Sequence, residues 1–209
     1  VVGIYISGHP LDDFKWELKY FCNASLNKLE HLEYYVNKEL CIGGIVSGEV
    51  QHRTSKTGKG WGIFTIEDYE GSYEFKIFGE EYLKFRHFLL PNNFVFIRLF
   101  VKEGWTNRET GKKGDPRIQF NMFKQLQDVL PDLSKKISIQ LDIDQLNENT
   151  IDYLDQLTTA QVGDKHSNFI FYELKDKIKL QMPRRSRKVS INRELLDSLK
   201  AKDMHFKVQ

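Results

Sequence analysis

The stretch SYEFKIFGEEYLKFRHFLLPNNFVFIRLFVK, residues 72–102, decides the fold class. Over Ser72 to Phe78, Tyr73, Phe75 and Ile77 alternate with Glu74, Lys76 and Phe78, the period of a half-buried strand. From Glu80 to Leu90 the period changes to that of a short helix. Tyr82, Leu83, Phe88 and Leu89 form its apolar face, and Pro91-Asn92-Asn93 ends it. Phe94 to Lys102 is again β-branched and aromatic, and reads as a strand.

Working outward, Leu40 to Arg53 is long and β-compatible, with glycines at 43, 44 and 48 that suit a strongly bent strand. Thr54 to Gly60 is a hairpin-type loop, Trp61 to Asp68 a strand, and Tyr69-Glu70-Gly71 the turn that closes it. A Gly/Lys-rich loop from Glu103 to Arg117 leads into a last strand, Ile118 to Leu126. Three strands, a helix and two strands, with long loops after the first and fourth, is the layout of a five-stranded OB-fold barrel. An SH3-like barrel has no helix between strands 3 and 4, and a sandwich needs more strands.

The remaining chain divides around this unit. Residues 1–38 read as a helical lead-in, with Asp12 as N-cap of a helix carrying Phe14, Leu18 and Phe21, and Asn23 as its stop. The barrel occupies 39–129, Leu130-Pro131-Asp132 marks a boundary, and 132–209 reads as a small α+β domain of order βαββαβ. Its strands are Ile137–Leu141, Phe169–Tyr172, Ile178–Gln181 and His205–Val208, and a split-βαβ sheet fits that order. Ile151, Leu154 and Leu157 give the first helix (147–157) its buried stripe, and Leu195, Leu196 and Leu199 the second (192–200). The fold class is therefore β plus α+β.

Composition limits the function. With 209 residues and a net charge of +2, the chain is no general polyanion binder. Two cysteines, Cys22 and Cys41, make neither a disulfide framework nor a thiolate metal site, and the six histidines show no helical metal spacing. No apolar run approaches a bilayer span of about 20 residues, so a cytoplasmic, soluble chain with no membrane partner is expected. The opening Val1-Val2, without Met, is expected of an excised piece of a longer protein.

Charge is nevertheless concentrated. The two long loops carry Arg53, Lys56, Lys59, Lys102, Arg108, Lys112, Lys113 and Arg117 against Glu103, Glu109 and Asp115, a net of +5; the rest of 39–127 nets −3. Cations on loops that flank a binding face attract a phosphate backbone. Aromatics lie beside them: Trp61 opens strand two, Phe78 ends strand three next to Lys76, and Trp105 sits in the second loop. The candidate nucleic-acid-binding residues are thus Arg53, Lys56, Lys59, Trp61, Lys76, Phe78, Trp105, Arg108, Lys112, Lys113 and Arg117. Solvated loops and core aromatics are the bland alternative.

Other motifs carry less. Thr57-Gly58-Lys59-Gly60 lacks the spacing, the Ser/Thr and the helix of a P-loop. Glu67, Asp68 and Glu70 could hold magnesium, but a β-turn explains them better; Gly8-His9-Pro10 has no nucleophile or carboxylate partner and reads as a rigid turn. The run Arg184-Arg185-Ser186-Arg187-Lys188 reads as a strand-to-helix loop, solvated in the favoured reading, with contact to a phosphate backbone or an acidic partner as the alternative. No catalytic residue and no metal site emerges.

Residues Val2 to Leu11, VGIYISGHPL, resemble a segment of the α subunit of bacterial DNA polymerase III. So do Thr57 to Asp68, TGKGWGIFTIED, the strand Gly71–Glu74 with Phe78, and the tail from Val189-Ser190 to Leu199. Trp61 stands where that family usually has Met, and Leu99 where it commonly has Gly. The resemblance implies that the lead-in follows a helix-hairpin-helix region, that the OB domain contacts single-stranded template, and that the C-terminal domain docks the clamp-loader τ subunit. It also implies that the polymerase site, with its magnesium, lies outside this chain, which then needs no cofactor. Gln119-Phe120-Asn121-Met122-Phe123 fits a sliding-clamp peptide, but strand alternation places Phe120 and Met122 on one face, so clamp contact is expected elsewhere. The alternatives are an OB-fold used only for protein contacts, an RNA-binding OB-fold, and a fragment that cleaves or extends DNA unaided.

Overall fold

The computed structural model describes residues 8–106, 110–173 and 178–209. The chain forms two compact units, divided between Asp128 and Val129.

The first unit opens with a 3-10 turn, Pro10–Phe14, running into helix α1, Lys15–Phe21. The cap is His9, not Asp12. His9 Nδ1 accepts from the Leu11 N–H at 3.1 Å and Asp12 Oδ2 accepts from the His9 N–H at 2.9 Å, a reciprocal capping box with Pro10 just inside it. Asn23 follows the helix and ties it down: its Oδ1 accepts from the Cys41 N–H at 2.7 Å.

Strand β1, Glu39–Thr54, is bent where foreseen, with Gly48 at φ +69° beside a register shift between Ser47 and Gln51. Gly44 is required by contact, because a Cβ there would sit 2.5 Å from both the Glu67 carbonyl oxygen and Ile66. Strands β2 (Gly60–Glu67) and β3 (Ser72–Phe78) follow, then helix α2 (Gly79–Phe85), and strands β4 (Phe94–Lys102) and β5 (Arg117–Gln125). All pair antiparallel in the order β3-β2-β1-β4-β5. The foreseen helix face is corrected in one place: Leu83 is exposed, and Phe85 is buried instead.

Among the described residues no ladder joins β3 to β5, so the sheet keeps two edges. Packing bridges them: the Phe75 ring of β3 lies 5.8 Å from Phe120 of β5, and Phe64, Phe85 and Phe123 complete an aromatic core. Each such ring, withdrawn from water, stabilises the unit by about 1.5–3 kcal/mol. Strand β5 slips register between Arg98 and Leu99, where Met122 faces Arg98 and Phe120 faces Leu99, making Asn121 the extra residue of a bulge. The slip turns Phe120 and Phe123 inward together and leaves Met122 half-buried, against the simple alternation expected of Phe120 and Met122.

The second unit begins with helix α3, Val129–Leu133, whose Val129 and Leu130 are buried, where a bare boundary was expected. Strands β6 (Lys136–Asp142), β7 (Val162–Glu173), β8 (Ile178–Val189) and β9 (His205–Val208) form one sheet in the order β8-β7-β6-β9. Helix α4, Glu148–Ala160, connects β6 to β7, and these pair directly in parallel. No strand is inserted between them, so the unit is not a split βαβ. Helix α5, Arg193–Ala201, buries Leu195, Leu196 and Leu199 as foreseen.

Two further expectations fail here. Strand β8 runs through Arg184–Lys188, which is ladder and not loop. In α4, Leu154 and Thr158 are buried while Ile151 is half-exposed; the Thr158 hydroxyl is accommodated by donating to the Leu154 carbonyl at 2.6 Å.

Candidate nucleic-acid interface

Strand register builds the first part of the site. Arg53 of β1 faces Trp61 of β2, which faces Phe78 of β3, in one cross-strand row. The Trp61 and Phe78 rings are stacked, centroids 5.5 Å apart and planes at 18°, and the Arg53 guanidinium lies 5.5 Å from the Trp61 centroid. Stacked pairs and exposed cation–π contacts are each worth about 0.5–1.5 and 0.5–1 kcal/mol respectively. They hold the row together while Phe78 remains 56% exposed. An aromatic ring left that open on an ordered strand is available to a ligand ring. In the next row Lys76, exposed, faces Ile63. Lys56 and Lys59 are exposed on the hairpin, which is shaped by Gly58 at φ +78° and by Ser55 Oγ accepting from the Lys59 N–H at 3.0 Å.

The loop between β4 and β5 builds the second part. The Gly114 N–H donates to the Trp105 carbonyl at 2.9 Å, and Thr106 bridges to Lys113. Trp105 is 74% exposed, with the Arg117 guanidinium 4.2 Å from its ring centroid. Lys113 is partly spent: it pairs with Glu103 at 3.0 Å, and that ammonium holds the Glu103 carboxyl below its usual range. Lys112 is exposed. Arg108 and Glu109 lie outside the described residues, as does the stretch Val2 to Ser7.

A groove of ≈ 460 Å³ between the β3 and β5 edges brings the two parts together. Lys76 and Phe78 line one side, Pro116 and Arg117 the other, with Tyr73, Phe75 and Ile118 between them. Sequence reasoning missed Glu81 here, because its place on α2 gives no sign that it reaches a strand edge. Burial pushes its carboxyl up, while the Phe120 backbone amide and the Lys102 charge pull the other way. The groove thus shares Phe78 and Lys76 from the first part and Arg117 from the second, with Trp61 stacked on Phe78 and Trp105 under Arg117.

The other motifs are structural. Asp68 accepts from the N–H groups of Leu26, Glu70 and Gly71 at 2.8, 2.8 and 2.9 Å, which makes it a turn residue. His9 packs on Tyr69, centroids 4.4 Å apart, and the Tyr69 hydroxyl donates to Asp12 at 2.7 Å. That bond lowers the Asp12 carboxyl, while burial and Asp12 raise the Tyr69 phenol. Among the described residues no three His, Cys, Asp or Glu side chains converge as metal ligands, and no helix is long and apolar enough to cross a membrane.

The second unit has a different surface. Arg184 donates to Thr158 and, at 2.8 Å, to Asp155; Arg187 donates to Thr159 at 2.5 Å. These cations pin β8 to α4. Beside them lies an apolar pocket of ≈ 380 Å³, lined by Leu141, Ile151, Phe169, Phe171 and Met182 among others. Ile178, Leu180 and Met182 of β8 are each about half exposed. The side chains of Arg185 and Ser186 lie outside the described residues.

Residues 137–209 match the family described as the C-terminal domain of the DNA polymerase III alpha subunit. The alpha subunit of Borreliella burgdorferi is 32% identical over 97 residues, covering 46% of this chain and 8% of that protein. That of Saccharopolyspora erythraea is 30% identical over 104 residues, 49% of this chain and 9% of its own length. That of Pseudomonas aeruginosa is 22% identical over 162 residues, 78% of this chain and 13% of its own. The chain therefore spans only 8–13% of the length of these relatives. Among solved structures, the small single-stranded DNA-binding protein from Streptomyces coelicolor is similar at 15% identity and a TM-score of 0.25, covering 43% of this chain and 94% of that one.

Proposed function

We propose, from the premise that residues 137–209 belong to the family of the C-terminal domain of the DNA polymerase III alpha subunit, that the chain is a non-catalytic part of a replicative DNA polymerase. In this reading the five-stranded unit is an OB-fold that holds single-stranded DNA, and the second unit docks the clamp-loader τ subunit. The OB reading draws on the order β3-β2-β1-β4-β5 with α2 between β3 and β4. The observation that carries the DNA reading is the path from Arg53, Trp61 and Phe78, along the groove, to Arg117 and Trp105.

The physics is that of sequence-tolerant strand binding. Bases stack on the open rings, each worth about 1–3 kcal/mol, and the phosphates displace counterions at the cations. The magnesium chemistry of the parent enzyme belongs to a region outside this chain, in a cytoplasmic replisome. Sliding-clamp contact is also assigned elsewhere, because Phe120 and Phe123 are core residues here. The apolar strip of β8 supports the protein-docking role.

The test is titration of labelled oligo-dT at two salt concentrations. Binding that weakens as salt rises supports the reading; no binding at low salt leaves a protein-contact scaffold in its place. Competition by a matched RNA oligomer separates DNA from RNA preference.

A further inference from the structure

We propose that the groove between the β3 and β5 edges is a nucleobase pocket that takes guanine in preference to thymine through the Glu81 carboxylate. The inference rests on the single-stranded DNA reading and names the base that site selects.

The absence of a ladder between the two edges leaves the slot open, and its ≈ 460 Å³ falls at the small end of ligand sites, which run from about 300 to 1,000 Å³. Its lining is mixed: Tyr73 on β3 and Ile118 on β5 give it apolar surface, with Phe75 buried beneath, and Glu74, Lys76, Glu81 and Arg117 give it polar groups. Phe78, the open end of the Trp61 stack, lines the same slot, so a strand stacked on Phe78 passes its neighbouring base directly over it.

Charge decides which part of the nucleotide enters. Glu81 is half-buried in the slot, whereas Glu74, Lys76 and Arg117 are exposed at its rim, two cations against one carboxylate. A phosphate is repelled from the Glu81 carboxylate and drawn to the rim cations. The backbone therefore runs outside and the base points in.

Glu81 then decides which base is favoured. An ionised carboxylate has about four lone-pair sites, so the Glu81 carboxylate, lining the slot, has the capacity to serve two ligand donors at once. Guanine presents N1–H and N2–H₂ side by side, two donors that match two carboxylate oxygens. Thymine presents one N–H flanked by two carbonyl oxygens, which the carboxylate repels. Cytosine and adenine each set one amino group beside an acceptor nitrogen and fall between.

The experiment measures binding of the full chain to labelled oligo-dT and to an oligomer of equal length with isolated guanines, which cannot form quadruplexes. The expected preference for the guanine oligomer is about five- to tenfold, the low end for a base-edge contact. Glu81→Ala should abolish the preference and tighten oligo-dT binding, since a repelling charge is lost. Glu81→Gln, which keeps the shape of the side chain and one acceptor oxygen and so guards against a folding defect, should reduce the preference with an unchanged far-ultraviolet spectrum. Equal binding of the two oligomers, or a preference that survives Glu81→Ala, overturns the pocket but leaves the DNA reading standing. Failure of both oligomers to bind at low salt overturns both.

Discussion

The two units spend their surface cations in opposite ways. In the five-stranded unit, Arg53 and Arg117 lie on aromatic rings that are themselves open or half-open, and Lys56, Lys59 and Lys76 point into solvent. In the second unit, Arg184 and Arg187 are tied to Asp155, Thr158 and Thr159, and what remains open is the apolar strip of β8. The difference teaches that a count of basic residues does not locate a polyanion site. A guanidinium already bonded to a carboxylate and a hydroxyl has little left for phosphate; Arg53, on its ring, donates from Nη2 to Gln51 at 2.6 Å, and a guanidinium has five N–H donors in all.

Several substitutions would break or sharpen this contrast. The largest effect belongs to β3, where a core ring and a surface ring lie three residues apart. Phe75→Ala should cost about 3–5 kcal/mol in denaturant unfolding, because the ring is 1% exposed among Phe64 and Phe120. Phe78→Ala should cost under about 0.5 kcal/mol of stability but weaken DNA binding by about 1–3 kcal/mol. Equal loss of stability in the two variants would remove Phe78 from the interface.

Next comes the pair of arginines. Arg184→Ala should lower stability by about 1 kcal/mol, a figure discounted for the 62% exposure of Asp155, and leave oligonucleotide affinity unchanged. Arg117→Ala should reverse that pattern, with stability within about 0.5 kcal/mol and affinity reduced. A loss of DNA affinity in Arg184→Ala would erase the distinction between the units.

Smaller still is the double change Lys56→Ala/Lys59→Ala, expected to lower the slope of log affinity against log salt by roughly 1.4, at about 0.7 per cation on a single strand. An unchanged slope would mean that the hairpin does not reach the phosphates.

The smallest effect concerns Glu81 and pH. Its folded pKa is raised above the unfolded value by burial, so its ionisation opposes folding. The opposition is absent below the unfolded pKa and fully present above the folded one. Glu81→Gln should therefore melt slightly higher than the native chain at neutral pH, with the gap closing in acid. A Glu81→Gln chain that melts below the native one at neutral pH would show instead that the Lys102 charge and the Phe120 amide outweigh burial.

Alternation made β3 legible to the residue, and the change of period marked α2 between β3 and β4. The glycine cluster foretold the bend in β1. The second unit was harder to read. The polar flanks of β7 and β8, residues 162–168 and 183–189, show no strand pattern, because they are held by pairing with each other and by Arg184 and Arg187 across to α4. Parallel pairing of β6 and β7 is equally silent, since each strand's own sequence is indifferent to which neighbour it takes.

Of the candidate site, the sequence by itself determined the ingredients: two basic loops, with Trp61, Phe78 and Trp105 beside them. Only the tertiary structure decided which of these meet. Register sets Arg53, Trp61 and Phe78 in one row, and the unclosed edges of β3 and β5 put Lys76, Arg117 and Glu81 in the lining of one groove. The physical reason is range. Periodicity and turn chemistry act over a few residues and can be read locally, whereas a side chain's remaining capacity for a ligand depends on partners dozens of residues away. The ion pair that occupies Arg184 and the ring that leaves Arg117 its donors are both contacts of that kind.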